Sequence, residues 1–256
     1  MHKFTEKIKN ILKKFNFKIE HVDSWYKKKE HSIAEIDTDE LKFIKNITNY
    51  SMCSPANHWA IIQSLKHIKK NNIGGDIVEC GVWKGGNLIL FKKILEKIGI
   101  DRKIHGFDTF EGMPIPGQND FDLKNIKANT VYEKYKQKDI KWCYSSLEEV
   151  QQNILNSGLE LNDNFKFIKG KVEETLKVNE NLPDKISLLR LDTDFYESTK
   201  TELEILFPRL EKGGILIIDD YGHWKGSKLA VDEYFNLEKN FYFMHRIDYA
   251  SRLLIK

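Results

Sequence analysis

The chain has 256 residues, 41% of them hydrophobic and 12% aromatic, which is enough to close one sizeable core, so we expect a single α/β domain with an N-terminal extension. Its 41 Lys and Arg residues and 38 Asp and Glu residues are interspersed and leave a formal charge of only +3, which argues against a nucleic-acid partner. The three cysteines form no CxxC pair, no apolar run reaches the roughly 18 residues of a membrane span, and no signal peptide is apparent, so we predict a cytoplasmic protein.

The first 49 residues contain no glycine and are rich in lysine. Apolar side chains recur at helical spacing between Phe4 and Phe15 with lysines around them, which predicts a basic amphipathic helix. We expect this helix to pack on its own domain or on a second subunit, so a homodimer is the predicted assembly. Weak attachment of residues 1–18 to an anionic membrane surface is the alternative, without stable insertion.

After a helix predicted over residues 55–71, strands and helices alternate along the chain. Further helices are predicted at residues 87–99, 197–210 and 228–237. The predicted strands are DIVEC (76–80), KIHGFD (103–108), FKFIKG (165–170), ISLLRLD (186–192), GILIIDD (214–220), FYFMHRID (241–248) and ASRLLIK (250–256). This alternation predicts an α/β fold with a mostly parallel seven-stranded sheet. No helix separates the last two strands, so one antiparallel strand is expected there.

The stretch over residues 113–142 interrupts this alternation. It is polar and contains PIPGQND, so we expect a mobile insertion over one end of the sheet. The predicted organisation is therefore a helical extension over residues 1–50, acting as a lid or dimer contact, and a main domain over residues 51–256.

The first predicted strand runs into a glycine-rich turn, GGDIVECGVWKGG, at residues 74–86. Ligands of parallel sheets bind beyond the carboxyl ends of the strands, so this turn is a candidate site. It departs from the dinucleotide fingerprint GxGxxG because Glu79 stands at the first glycine position. A carboxylate disfavours phosphate there but suits the ammonium of a sulfonium cofactor such as S-adenosylmethionine. We predict cofactor contacts from Glu79, Gly81, Val82, Trp83 and Gly85; a glycine corner without a ligand is the alternative.

Two further polar positions follow downstream. Asp108 ends the second predicted strand, where an acidic group can accept both ribose hydroxyls of the cofactor, and capping of the turn is its alternative role. Ser146 stands three residues before Glu149, a capping-box pattern that predicts a helix cap. Contact of Ser146 with the adenine is the second possibility.

Two apolar strands end in paired aspartates: Asp192 and Asp194 after one, Asp219 and Asp220 after the next. If these strands are neighbours, four carboxylates crowd one edge of the sheet, where they would repel one another or become protonated without a counter-charge. A divalent cation relieves that repulsion, and an all-carboxylate set favours Mg²⁺ or Ca²⁺ over Zn²⁺. Helix capping is the alternative for any one of them. His223 is close enough to act there as a base, or it is a bystander.

The sequence resembles the macrocin O-methyltransferase (TylF-type) family of S-adenosylmethionine-dependent enzymes. The resemblance covers the chain from about residue 50 onward and rests on NYSMCSP, GGDIVECGVWKGG, GFDTFEGMP, FIKGKVEETL, LLRLDTDFYESTKTELEILFPRLEKGGILIIDDYG and AVDEYF. It implies a Rossmann-like class I methyltransferase that methylates sugar hydroxyls with Mg²⁺ held by aspartates. By position, it implies Asp192, Asp219 and Asp220 as metal ligands and Asp194 as the general base.

The predicted cofactor site also includes Met52, Ser54, Thr109, Ser146 and Asp192, and His223 joins Asp194 as a candidate catalytic residue. The acceptor is expected to be a small-molecule or glycan sugar. A methyltransferase acting on RNA, protein or a phosphorylated small molecule is the alternative, although DTDF at residues 192–195 replaces the Pro-Pro-aromatic turn used for base amines. A dehydrogenase is disfavoured by the missing GxGxxG, and a membrane-surface scaffold would depend on the basic N-terminal helix.

Overall fold

The computed structural model describes residue 33 and residues 35–256. The amphipathic helix predicted between Phe4 and Phe15, and the membrane attachment of residues 1–18, lie outside the described residues. Helix α1 (Thr38–Asn46) is the first described element and has acidic residues in its first turn. Residues 42–256 form one compact unit that contains all the later elements.

The compact unit is built on a seven-stranded sheet with the strand order β3-β2-β1-β4-β5-β7-β6. The first five strands pair in parallel, and β7 runs antiparallel to both β5 and β6. The strands are β1 (Asp76–Cys80), β2 (Ile104–Asp108), β3 (Phe165–Lys169), β4 (Ile186–Leu191), β5 (Leu210–Ile218), β6 (His245–Arg246) and β7 (Arg252–Ile255). The predicted mostly parallel sheet with one antiparallel strand is confirmed.

Helices connect these strands. They are α2 (Pro55–Lys70), α3 (Gly86–Ile98), α4 (Ala128–Gln137), α5 (Leu147–Asn156), α6 (Val172–Thr175), α7 (Tyr196–Leu206) and α8 (Lys225–Leu237). The apolar side chains on one face of the sheet, such as Val78, Leu189 and Leu216, form a buried core with Leu203 of α7 and Val231 of α8. Alternation along the strands directs Glu79 and Arg190, neighbours in register, to the other face.

The strand order reverses direction between β1 and β4, because the chain moves outward from β1 to β3 and then returns to place β4 on the other side. In open α/β sheets this switch point creates a crevice at the carboxyl ends of the two strands. The glycine turn and the first aspartate pair both follow strands at this point, so the topology brings two of the predicted motifs together.

Three predicted elements differ in the structure. Helix α7 ends at Leu206 rather than at residue 210, and a 3-10 turn (Phe207–Arg209) follows, since Pro208 cannot continue the α-helix. The strand predicted over residues 241–248 is reduced to His245–Arg246. The insertion over residues 113–142 contains helix α4, which its polar composition did not predict.

The insertion is attached to the domain by Asp120, a buried residue. Its carboxylate accepts hydrogen bonds from the amides of Gly117 at 2.7 Å and of Tyr196 at 2.9 Å. A Cβ on Gly226 would lie 2.1 Å from the same carboxylate, so the start of α8 also approaches it closely. Among the described residues, no helix is both long enough and apolar enough to cross a membrane.

Candidate active site

Gly81 brings the turn after β1 into contact with the end of β4. Its φ is +85°, and a Cβ at this position would lie 2.0 Å from the carbonyl oxygen of Asp192. The Asp192 amide donates a hydrogen bond to the Cys80 carbonyl at 2.8 Å. Only glycine therefore allows the predicted cofactor turn and the first aspartate pair to approach this closely.

Asp108 closes the same turn from the neighbouring strand β2. One of its oxygens accepts hydrogen bonds from the amides of Val82 at 2.7 Å and Trp83 at 3.0 Å. The other oxygen accepts the amide of Phe110 at 2.7 Å, and burial raises the pKa of this carboxyl. The turn-capping role considered for Asp108 is thus confirmed. It does not exclude a ligand role, because Asp108 also lines the cleft beside the turn.

This cleft lies at the carboxyl ends of β1, β2 and β4. It is open to solvent. Met113 and Pro114 of the insertion, together with Cys143 and Lys171, form part of its wall. The residues predicted from the sequence that line it are Met52, Gly81, Trp83, Asp108, Thr109, Asp192 and Asp194.

Two of the predicted cofactor residues act as helix caps. The Oγ of Ser54 accepts the amide of Asn57 at 3.2 Å at the start of α2. The Oγ of Ser146 accepts the amide of Glu149 at 3.2 Å at the start of α5, so the predicted capping role of Ser146 is confirmed. Neither serine lines the cleft, and their contacts with a cofactor stay predictions, as do those of Val82 and Gly85.

Arg190 is a functional candidate that the sequence analysis missed. It lies in β4 with 0% of its side chain exposed. Its Nη1 donates to Glu79 Oε1 at 3.0 Å and to Asp192 Oδ2 at 2.6 Å, while Nη2 donates to Asp219 Oδ1 at 2.6 Å and contacts Cys53 Sγ at 2.9 Å. The signal was a single arginine within the apolar strand ISLLRLD, since a buried charge requires partners. The protein itself thus supplies part of the counter-charge that clustered carboxylates require.

Burial and neighbouring charges together set the pKa values of Arg190 and Glu79. Burial by itself would lower the pKa of Arg190, but the surrounding acidic groups outweigh it and raise that pKa well above its usual range. Burial also raises the pKa of Glu79 to about 7, against the opposing effects of Arg190 and of a hydrogen bond from Asn87. The second oxygen of Glu79, Oε2, has no hydrogen-bond partner within the described residues. The predicted contact of Glu79 with a cofactor ammonium stays a prediction.

Asp219 is turned toward Arg190. Besides the guanidinium, its Oδ1 accepts hydrogen bonds from Asn57 Nδ2 at 2.5 Å and Ser251 Oγ at 3.1 Å. In the described part of the chain, a ligand oxygen of Asp219 lies within 4.8 Å of ligand atoms of Asp192 and Cys53. The structure therefore divides the predicted metal set, with Asp219 in one group and Asp220 in another.

The second group, Asp192, Asp194 and Asp220, is the acidic rim of the cleft. One ligand oxygen of each lies within 4.8 Å of the others. Burial, assisted by repulsion between the carboxylates, raises the pKa of Asp192 and Asp220 well above the usual range and that of Asp194 to about 7. Three carboxyls this close cannot all remain ionised without a cation, and their oxygens form the donor set that hard divalent ions prefer.

His223 lies beside the rim without lining the cleft. Its Nδ1 is 3.3 Å from the Tyr249 hydroxyl, and its ring meets that of Trp224 edge-on at 5.0 Å. A catalytic role for His223 stays a prediction.

The fold and the site together define a Rossmann-like class I methyltransferase. The chain belongs to the family described as Macrocin-O-methyltransferase (TylF), which matches residues 8–254. This confirms the family resemblance found in the sequence.

Individual relatives extend this result. Demethyldecarbamoylnovobiocin O-methyltransferase of Streptomyces niveus is 36% identical over 179 residues, which cover 68% of this chain and 63% of the relative. An enzyme of Streptomyces olivaceus, 8-demethyl-8-(2,3-dimethoxy-alpha-L-rhamnosyl)-tetracenomycin-C 4'-O-methyltransferase, is 36% identical over 163 residues, 61% of this chain and 57% of the relative. The chain thus matches less than two thirds of the length of these curated relatives. Among solved structures, the O-methyltransferase NovP has a TM-score of 0.69 and 30% identity, covering 81% of this chain and 82% of its own.

Proposed function

We propose that this protein transfers the methyl group of S-adenosylmethionine to a hydroxyl group of a sugar, assisted by a divalent metal ion. The observation that carries the proposal is that one cleft is lined both by the glycine turn and by Asp192 and Asp194. The predicted cofactor turn and a set of proton-accepting groups therefore line the same cleft. The relative from Streptomyces olivaceus is named for methylation on a rhamnosyl-bearing compound, which supports a sugar as the acceptor.

The residues of the turn fit the proposed cofactor. Gly81 keeps the turn clear of the Cβ that any other residue would place against β4, and Asp108 is an acidic group in the cleft wall at the end of β2. We assign the ribose hydroxyls to Asp108 and the remaining contacts to Met52, Trp83 and Thr109. S-adenosylmethionine supplies an electrophilic methyl group when it is bound.

The acidic rim fits Mg²⁺ by its all-oxygen donor set, and the buried Oδ2 of Asp220 has no hydrogen-bond partner among residues 35–256. Within the rim, Asp192 and Asp220 would hold the ion. Asp219 lies in the neighbouring group, so it would serve as the third ligand through the oxygen that does not bind Arg190. Arg190 binds Oδ2 of Asp192 and Oδ1 of Asp219, so the other oxygen of each carboxylate could bind the ion. Mg²⁺ supplies Lewis acidity when it is bound.

Asp194 is the proposed general base. It lines the cleft, where a carboxylate can accept a proton from a bound hydroxyl group. As the acceptor oxygen attacks the methyl carbon and the carbon–sulfur bond breaks, Asp194 takes the hydroxyl proton. The products are a methyl ether and S-adenosylhomocysteine. His223 would lie on the acceptor side of this base, beside Trp224.

The test is methyl transfer from labelled S-adenosylmethionine to a panel of nucleotide sugars, free sugars and glycans, with Mg²⁺ and after chelation. We expect at least one sugar acceptor and a loss of turnover after chelation that Mg²⁺ restores. Calorimetry with S-adenosylhomocysteine measures cofactor binding separately. No binding, or label transferred only to RNA, protein or phosphorylated small molecules that contain no sugar, would refute the proposal.

The assembly is a further proposal. We infer that residues 1–50 form the helical extension of a cytoplasmic homodimer, because the apolar positions between Phe4 and Phe15 require a partner surface. Light scattering of the full chain at several concentrations tests this, and a monomer at every concentration contradicts it.

A further inference from the structure

Asp194 occupies the centre of a tight turn with an unfavourable backbone conformation. Its φ is +70°, and the amide of Phe195 donates to the carbonyl oxygen of Thr193 at 2.8 Å. A γ-turn with a positive φ at its central residue is rare and strained for any L-amino acid other than glycine. Such a conformation persists only where the surrounding structure holds it.

Glu202 of α7 is the buried group that contacts this turn. Its residue is 0% exposed, and its Oε1 accepts a hydrogen bond from the Thr193 hydroxyl at 2.9 Å. Its other oxygen, Oε2, is buried and has no hydrogen-bond partner among the described residues. This side chain thus connects α7 with the Asp194 turn. Glu202 does not line the cleft, so any influence on the reaction acts through Thr193.

Two other contacts support the turn from its flanks. The Ser198 hydroxyl on α7 is 3.3 Å from the Thr193 carbonyl oxygen and donates to the Phe195 carbonyl at 3.0 Å. On the opposite side, the amide of Asp192 is bound to Cys80. Among the described residues, the Thr193 hydroxyl donates its hydrogen bond to Glu202 alone. The burial of the Glu202 carboxyl costs free energy, and it raises the pKa of Glu202 well above the usual range.

We propose that Glu202 is a positioning residue: through Thr193 it holds the strained turn that directs Asp194 toward the acceptor hydroxyl. This inference depends on the proposed function for its catalytic consequence. Its structural part, the support of the turn, is independent of any activity.

The experiment compares Glu202→Leu, which removes the acceptor of the Thr193 bond, with Thr193→Val, which removes the donor. Glu202→Gln keeps an oxygen for Thr193 and is the conservative rescue. Thr199→Val is the matched control, because Thr199 is a buried hydroxyl of the same helix that bonds instead to Ser227 at 3.4 Å. All variants are made in the full chain.

The first measurement is hydrogen exchange of the Phe195 amide in the cofactor-free protein. Glu202→Leu and Thr193→Val should each raise its rate about tenfold or more, because the turn opens locally, while Glu202→Gln and Thr199→Val leave it within about twofold. The second is steady-state kinetics. Glu202→Leu and Thr193→Val should each lower kcat by about 10- to 100-fold, as loss of a supporting contact does. Both should keep the KM for the acceptor and the affinity for S-adenosylhomocysteine within about threefold of the wild-type values. The double variant, Glu202→Leu with Thr193→Val, should lose no more kcat than either single variant.

Wild-type exchange at Phe195 in both Glu202→Leu and Thr193→Val would overturn the proposal, as would equal effects in Thr199→Val or fully additive losses in the double variant. If Glu202→Leu does not fold, Thr193→Val, which leaves the buried carboxyl in place, decides the question. If the wild-type protein transfers no methyl group, the proposed function fails, and the exchange data still establish or refute the support of the turn by Glu202.

Discussion

Replacing Gly81 by alanine perturbs the point where the glycine turn and β4 meet. The residue has a φ of +85°, and the added Cβ would lie 2.0 Å from the Asp192 carbonyl oxygen. Two costs therefore add: the left-handed conformation of a non-glycine residue and a steric overlap with backbone that cannot rotate away. Gly158 is the matched control, since its φ is +79° but nothing lies within 4 Å of the position of its Cβ.

The expected magnitudes differ between the two sites. Gly158→Ala meets only the conformational cost, about 1–2 kcal/mol. Gly81→Ala adds an overpacking cost of about 1–3 kcal/mol, for a total of about 3 kcal/mol. For a domain of this size, each 1 kcal/mol shifts the melting temperature by about 2–4 °C, so Gly81→Ala should lower it by about 6–12 °C.

Urea unfolding and thermal melting of both variants measure these differences, and calorimetry with S-adenosylhomocysteine reports the cofactor site. We expect Gly81→Ala to weaken cofactor binding at least tenfold and Gly158→Ala to leave it unchanged. Equal destabilisation by the two substitutions would refute the argument, because it would mean that the approach of Gly81 to Asp192 imposes no steric constraint.

Three further predictions concern charged groups. Asp194→Asn should lower kcat by about 100-fold or more with unchanged cofactor affinity, because asparagine tolerates the same positive φ but cannot take a proton. Arg190→Met should lower the free energy of unfolding by about 3–5 kcal/mol, because it leaves Glu79 and two aspartates without their buried cation. His58→Gln should remove part of the acid sensitivity of folding. Burial lowers the pKa of His58 from 6.5 to about 3, so below pH 6.5 the unfolded chain binds a proton that the folded chain does not.

The sign and size of the His58 effect follow from this linkage. As pH falls from 6.5 toward 3, His58 should reduce the free energy of unfolding by up to about 1.4 kcal/mol per pH unit, and His58→Gln should lack that slope. His245→Gln, at an exposed position, is the control; equal slopes in both variants would contradict the prediction. For Arg190→Met, the control is Arg209→Met, which removes a partly buried arginine bound to the Pro183 carbonyl. For Asp194→Asn, retained turnover would exclude Asp194 as the base.

Much of the fold and part of the site follow from local patterns. Short apolar runs rich in β-branched residues predicted the positions of β1 to β5. The spacing of Ser146 and Glu149 predicted a helix cap that the structure confirms. The polar stretch over residues 113–142 and the aromatic segment over residues 241–248 were less predictable. In the first, helix α4 follows Asp120, whose partner Tyr196 is 76 positions away in sequence. In the second, only two residues pair with β7.

The sequence by itself determined that a glycine turn and two aspartate pairs follow the strands of a parallel sheet, because strand periodicity and turn chemistry are encoded locally. Only the tertiary structure decided how those side chains are paired. Register places Arg190 beside Glu79, α2 brings Asn57 to Asp219, and α7 brings Glu202 to Thr193. These partners are separated by 9 to 162 positions, and only the packing of the helices on the sheet brings such distant groups within hydrogen-bonding distance.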